Sequence, residues 1–159
     1  MLPYSRYFTA YTLKMFKKFI PFIDANVDKI LILHMLGNEC RDIANDVEMS
    51  DFEKQKNASE IVNEFSQEII ALPSSIKILV SMLLFRFDNE RKIGMSNPEN
   101  LRQFMNAKLQ LALAGKSNVK LVNHDNIFNN KKFYEDKIHL SKDGFHKMFE
   151  NWSKYLGSS

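Results

Sequence analysis

The sequence has little cysteine and no long apolar run. One cysteine among 159 residues excludes an internal disulfide, which argues against a small secreted fold held by disulfides. The longest predominantly apolar run, residues 78–85, has the length of a buried strand and is too short to cross a bilayer. We therefore expect a cytoplasmic chain with no membrane association.

Charge of one sign and ligand-binding loops are also lacking. The chain has 22 Lys and Arg residues and 19 Asp and Glu residues, which gives a net charge of +3, and the basic residues are scattered along the sequence. This balance permits RNA as a partner without indicating it.

The four histidines have no zinc-site spacing and no glycine-rich phosphate loop is present, so we expect no metal and no cofactor.

Apolar runs alternate with helical patterns along the chain. Residues 29–35 and 77–85 are typical of strands buried on both faces, and residues 118–124 form a third predicted strand. Residues 10–20 are predicted to form a helix, and apolar residues at i, i+4 and i+8 mark a second helix: Ile61, Phe65 and Ile69.

Two further helices are predicted from their end signals. Asn97 can cap the first of them, and Gly115 suits the position just past its end. The last helix begins near Ser141, and its apolar residues are predicted to be buried: Phe145, Met148, Phe149, Trp152 and Leu156.

The resulting order, α-β-α-β-α-β-α, predicts an α/β fold: a single domain over residues 1–159 with a parallel sheet covered on both faces. Ligands and catalytic groups gather at the carboxyl ends of the strands in such sheets. Residues 36–40 follow the first predicted strand and residues 123–140 follow the third, so these segments are the candidate site.

The candidate site contains a histidine three residues after an aspartate. The Asp136 carboxylate can accept the Nδ1–H of His139, which fixes the imidazole tautomer and leaves Nε2 free as a general base. Asn38, after the first strand, is placed to donate to a developing oxyanion.

Three stretches around the candidate residues Asn38, Asp136 and His139 resemble SGNH (GDSL-type) hydrolases, above all the divergent esterase-like domains of animal proteins and retroelements. "KILILHMLGNEC" is similar to the family's strand ending in Gly-x-Asn-Asp, although Leu36 and Glu39 stand where the family has glycine and aspartate. "IKILVSMLLFR" is similar to the next strand, and "DKIHLSKDG" to the Asp-x-x-His-Leu-Ser-x-x-Gly block. The resemblance covers roughly residues 10–156 and implies a three-layer, flavodoxin-like α/β/α fold.

The resemblance also implies a serine esterase acting on small acyl or acetyl esters. His139 would be general base and then acid, Asp136 would orient it, and Asn38 would stabilise the oxyanion. The family's serine lies in an upstream Gly-Asp-Ser turn, but none of the five glycines here precedes Asp-Ser. The family's second oxyanion donor, a glycine N–H, would fall near residues 7–9, where no glycine stands. We therefore find no nucleophile and expect this chain to be inactive alone.

The missing block would also carry the family's N-terminal strands, which lie beside the strand predicted at 29–35. Without them this strand is a sheet edge with unpaired backbone groups. The edge would be covered by residues 1–9, by a partner or second copy, or by sequence upstream of Met1. We favour the last explanation, with a truncated or degenerate gene copy next.

Structural alternatives accompany each candidate. Asp136 and His139 can form a helix-entry pair, and Asn38 can cap a loop. Cys40 is an alternative nucleophile, since a thiolate beside an imidazole can attack, although packing is the commoner role of a lone cysteine. The alternative functions are a non-catalytic SGNH-like module that binds RNA or protein, and an interaction protein that pairs through its strand edge.

Overall fold

The computed structural model describes residues 12–23, 28–89 and 91–157, in which three strands alternate with helices. The strands are β1 (Ile30–Leu33), β2 (Lys77–Ser81) and β3 (Val119–Val122). The helices are α1 (residues 12–17), α2 (Gly37–Asn45), α3 (Asp51–Ile70), α4 (Pro98–Leu113) and α5 (Lys142–Leu156). Short 3-10 turns lie at Ile20–Phe22, Gly94–Ser96 and Lys131–Phe133.

The strands form one parallel sheet in the order β1-β2-β3. Ile30 is opposite Lys77 in the first pair, and Ile78 is opposite Val119 in the second. The central strand is therefore hydrogen-bonded on both sides, as the apolar run in its sequence predicts. A mixed helix and strand fold with a parallel sheet is confirmed.

Helices contact both faces of the sheet. Val80 belongs to the main apolar core together with Phe65 of α3 and Met105 of α4. Because successive strand residues point to opposite faces, Ser81 points the other way, where its hydroxyl accepts a hydrogen bond from Trp152 of α5. The three predicted core residues of α3 are buried, with 1–3% of their surface exposed: Ile61, Phe65 and Ile69.

The helix ends follow their local side-chain chemistry. Ser50 and Glu53 form a reciprocal capping box at the start of α3. The Asn97 side chain accepts from the N–H of Glu99 and so caps α4, as predicted. Gly115 follows the end of α4 with φ of +78°, a left-handed conformation that favours glycine, again as predicted.

Two predictions for the first strand region are wrong. Residues 37–45 form a helix, α2, that the predicted order of elements does not contain. β1 is also not buried on both faces, since 43% of Ile30 is exposed. Within the described residues β1 pairs only with β2, so one side of it has no neighbouring strand. Residues 1–9, one of the three coverings considered for this edge, lie outside the described residues.

The predicted burial of α5 is also wrong in part. Met148 is buried, but 56% of Phe145 and 59% of Phe149 are exposed. The stripe of α5 that faces the protein contains Gly144, Met148 and Asn151. The apolar pattern identified an amphipathic helix, but no described element covers the face that carries the two phenylalanines.

A polar cluster, buried except for Asn126, holds α5 against the sheet. Asn151 and Asn126 exchange two amide hydrogen bonds of 2.8 Å each. The second Asn151 N–H donates to Nδ1 of His124 over 3.0 Å, so the His124 proton resides on Nε2, which donates to Ser81 over 3.2 Å. Burial, and to a smaller extent the neighbouring His34, lower the pKa of His124 to about 4.

This cluster predicts that stability falls at mildly acidic pH. His124 is neutral in the folded chain down to about pH 4 but takes up a proton below about pH 6.5 when unfolded. Acid therefore favours the unfolded state through this residue, and we expect a loss of about 2 kcal/mol between pH 7.5 and 5. Chemical denaturation of the wild type and of His124→Gln across this range measures it. The variant should show a smaller pH slope, and equal slopes would contradict the assignment.

Candidate functional site

A cleft of about 630 Å³ lies at the carboxyl ends of β1 and β2. Residues 34–40 after β1, residues 83–86 after β2, Arg102 of α4 and residues 138–139 line it. The loop after β3 therefore meets the segments after the other two strands. Asn38 and His139, which are a hundred positions apart in the sequence, line the same cleft.

Asp136 and His139 form the predicted pair. Oδ2 of Asp136 lies 2.7 Å from Nδ1 of His139. The other carboxylate oxygen accepts from the backbone N–H groups of Ile138 and His139, over 2.6 and 2.7 Å. The His139 ring and these two amides hold the pKa of Asp136 well below its usual range. The ionised carboxylate can therefore accept Nδ1–H of His139, which leaves Nε2 free as an acceptor.

A second apolar cluster fixes the loop that carries this pair. The Tyr134 hydroxyl donates to the Phe85 carbonyl over 2.6 Å, and the Phe87 N–H donates to the Lys137 carbonyl over 2.8 Å. Tyr134 also packs with Leu140, which is 5% exposed. The loop is thus attached to the segment after β2, although Asp136 and His139 themselves are exposed.

The residues that follow His139 tie the loop to α5. Ser141 accepts from the N–H of Gly144 and so caps α5, while its own hydroxyl donates to the Lys132 carbonyl. A Cβ added to Gly144 would lie 2.1 Å from the Phe133 carbonyl oxygen. Only glycine permits this close approach of helix and loop.

Asn38 lies in the first turn of α2. The residue before this helix, Leu36, has φ of +76°, a left-handed conformation that is costly for leucine and at which the family resemblance has glycine. The Asn38 side chain is exposed to the cleft and has no hydrogen-bond partner among the described residues. It therefore does not cap a loop, and its amide is available to a ligand.

Cys40 is not placed to attack a substrate. Its thiol is 1% exposed and lies 3.7 Å from the Pro98 carbonyl oxygen. The pKa of the thiol is raised to about 12, because the effect of burial outweighs the opposing effect of the arginines Arg86 and Arg102. The thiolate is absent at neutral pH, so the structure favours the packing role.

No hydroxyl nucleophile lines the part of the cleft that the structure describes. Among the described residues, the cleft wall includes no serine, threonine or tyrosine. Ser81 does contact a histidine, but the hydroxyl is 2% exposed and accepts from Nε2–H of His124, so this imidazole cannot act as its base. The described residues also include no group of three potential metal ligands, and none of their helices has the length and apolar composition to span a membrane.

Two cleft arginines have acidic partners that the sequence patterns did not reveal. Arg86 binds Asp88 through hydrogen bonds of 2.9 and 2.5 Å. Arg102 binds Glu99 one helical turn earlier, over 2.7 and 2.5 Å, and also donates to the Leu83 carbonyl. The i, i+3 spacing of Glu99 and Arg102 was a readable signal. The position of Arg102 at the cleft depends on how α4 packs.

Comparisons of the chain with family models, curated protein sequences and solved structures found no match in any of the three. The SGNH resemblance consequently rests on the quoted sequence motifs alone.

The close approach at Gly144 gives a stability prediction. Gly144→Ala should destabilise the chain by about 2 kcal/mol, because the added methyl group forces α5 away from the Phe133 carbonyl. Gly157→Ala, at the other end of α5, is the matched control, since nothing lies within 4 Å of its new Cβ. It should change the free energy of unfolding by less than about 0.5 kcal/mol. Equal effects of the two variants in denaturant unfolding would show that the contact is unimportant.

Proposed function

We propose that the chain carries the acid–base and oxyanion portion of an ester hydrolase site of the SGNH type. His139 acts as general base, Asp136 holds its tautomer and Asn38 donates to the oxyanion. The observation that carries the proposal is the presence of Asn38 and the hydrogen-bonded Asp136–His139 pair at one cleft. The substrate is a small acyl ester.

The attacking group is absent from the described cleft wall, so the covalent step of a serine esterase is not available to these residues. In the family resemblance, the strand that carries the serine lies beside the strand corresponding to β1. That side of β1 has no neighbouring strand among the described residues. The chain is thus expected to be inactive as a serine esterase, with no acyl-enzyme. His139 can still deprotonate a water molecule that attacks an activated ester, and this slow cleavage is the activity to be measured.

Cleavage of p-nitrophenyl acetate tests this proposal. His139→Ala should lower the protein-dependent rate by about tenfold or more, because the general base is lost. Asp136→Asn should also lower the rate, because the imidazole of His139 is then held in the wrong tautomer. Asn38→Ala should lower it because the hydrogen-bond donor to the oxyanion is lost. His146→Ala removes an exposed histidine that does not line the cleft and should leave the rate unchanged. Equal rates in all variants would exclude the esterase assignment.

A fluorophosphonate probe with intact-mass analysis tests for a nucleophile. A folded chain should take no stoichiometric label, since no hydroxyl lines the described cleft wall. An adduct that disappears in His139→Ala would contradict this statement, and peptide mapping would identify the hydroxyl.

Self-association through β1 is a second candidate function. The apolar strand lies at a sheet edge among the described residues, and 43% of Ile30 is exposed. Such an edge can pair with another chain. Sedimentation velocity should show a mass that rises with concentration and that Ile30→Lys reduces to the monomer. Val47→Lys, at a residue 94% exposed and away from β1, is the control. A monomer mass at every concentration would exclude this function.

A further inference from the structure

Arg86 retains hydrogen-bond donors that no described residue uses. Asp88 accepts from Nε and Nη2 of its guanidinium over 2.9 and 2.5 Å and so occupies one edge of the group. Nη1 has no partner among the described residues, although the side chain is only 9% exposed. The described side-chain atoms that are both buried and without a hydrogen bond belong to Ser66 and Glu68, so Nη1 of Arg86 is accessible at the cleft that this residue lines.

Arg102 provides the contrast within the same cleft. Glu99 accepts from its Nε and Nη2, and the Leu83 carbonyl accepts from its Nη1, so every nitrogen of this guanidinium is engaged within the protein. The guanidinium of Arg86 is held along one edge by Asp88 and has a second edge, at Nη1, without a partner. A planar group fixed in this way is preorganised to donate to the oxygens of an anion.

The N-terminus of α2 lies at the same cleft. Residues 37–40 form its first turn and line the cleft, and no side chain caps the helix. The first N–H groups of an α-helix have no partner within it and carry a partial positive charge. The N–H groups of Gly37 and Asn38 accordingly have no partner among the described residues, and open space lies beside Gly37. Backbone donors of this kind bind anions.

We propose that the N-terminus of α2 and Arg86 together form an anion subsite that takes a carboxylate group of the ligand. The N–H groups of Gly37 and Asn38 donate to the carboxylate from one side, and Arg86 donates through Nη1. This inference goes beyond the proposed function, because it names no reaction and uses the backbone of Asn38 rather than its side chain.

The charges around the subsite favour a monoanion. Asp88 already neutralises the Arg86 guanidinium, and the buried carboxylate of Glu39 also lines the cleft. A ligand carboxylate brings one negative charge toward these neighbours, whereas a phosphate monoester brings about two. A carboxylate also has the planar pair of oxygens that matches a guanidinium.

NMR titration of the wild-type chain tests the subsite without requiring turnover. Formate should shift the backbone amide signals of Gly37 and Asn38 and the guanidinium signals of Arg86, and these shifts should saturate. Formamide, which has nearly the same shape and no charge, should bind at least about tenfold more weakly. Inorganic phosphate, as the dianion, should also bind more weakly than formate, because it brings a second negative charge.

A matched pair of variants checks the role of Arg86. Arg86→Lys keeps a positive charge beside Asp88 but loses the planar group, so it should weaken formate binding roughly tenfold. Arg91→Lys, at an exposed residue that does not line the cleft, should leave formate binding unchanged. A thermal melt of each variant verifies folding. If Arg86→Lys does not fold, the comparison of formate with formamide in the wild type still decides.

Each contrary result overturns the proposal. These results are the absence of saturable shifts, equal binding of formate and formamide, phosphate binding as tight as that of formate, and an unchanged formate affinity in folded Arg86→Lys. Formate binding in the expected order, with His139→Ala cleaving p-nitrophenyl acetate as fast as the wild type, would exclude the esterase function and retain the anion subsite. Cleavage that depends on His139 without formate binding would do the reverse.

Discussion

The pairing of β2 with a parallel strand on each side is the constraint on which the rest of the structure depends. Because the strands run in the same direction, the segments that leave β1, β2 and β3 all emerge at one edge of the sheet. At that edge Asn38 and His139 line one cleft, and the Tyr134–Phe85 hydrogen bond anchors the loop that carries His139. A change in strand direction would separate these groups.

The block from Asp136 to Gly144 combines local and tertiary requirements. Asp136 accepts hydrogen bonds from two backbone amides and pairs with the imidazole of His139. Ser141 caps α5 and donates to the Lys132 carbonyl in the loop, and Gly144 allows the Phe133 carbonyl to approach α5 closely. Such short-range interactions depend on residue type and spacing, both of which are visible in a sequence. This is why the Asp136–His139 contact and the start of α5 could be predicted accurately.

Features that depend on distant packing could not be predicted in this way. α2 begins at a leucine with positive φ, and no propensity rule predicts a helix start there. The apolar pattern of α5 gave its length but not which side chains have a partner, so Phe145 and Phe149 were wrongly placed in the core. The incomplete burial of β1 likewise depends on which strands lie beside it.

The two interpretations of the site, catalytic and structural, make different demands on its residues. Asp136 serves both, because its hydrogen bonds to the loop amides shape the backbone whether or not His139 transfers a proton. Ser141 and Gly144 likewise have structural roles that are sufficient to explain them. Asn38 differs, because its exposed amide binds no described residue and stabilises no described turn. An asparagine at a cleft, without a partner among the described residues, is available to donate a hydrogen bond to a ligand. The case for chemistry at this site therefore depends more on Asn38 than on the better-formed Asp136–His139 pair.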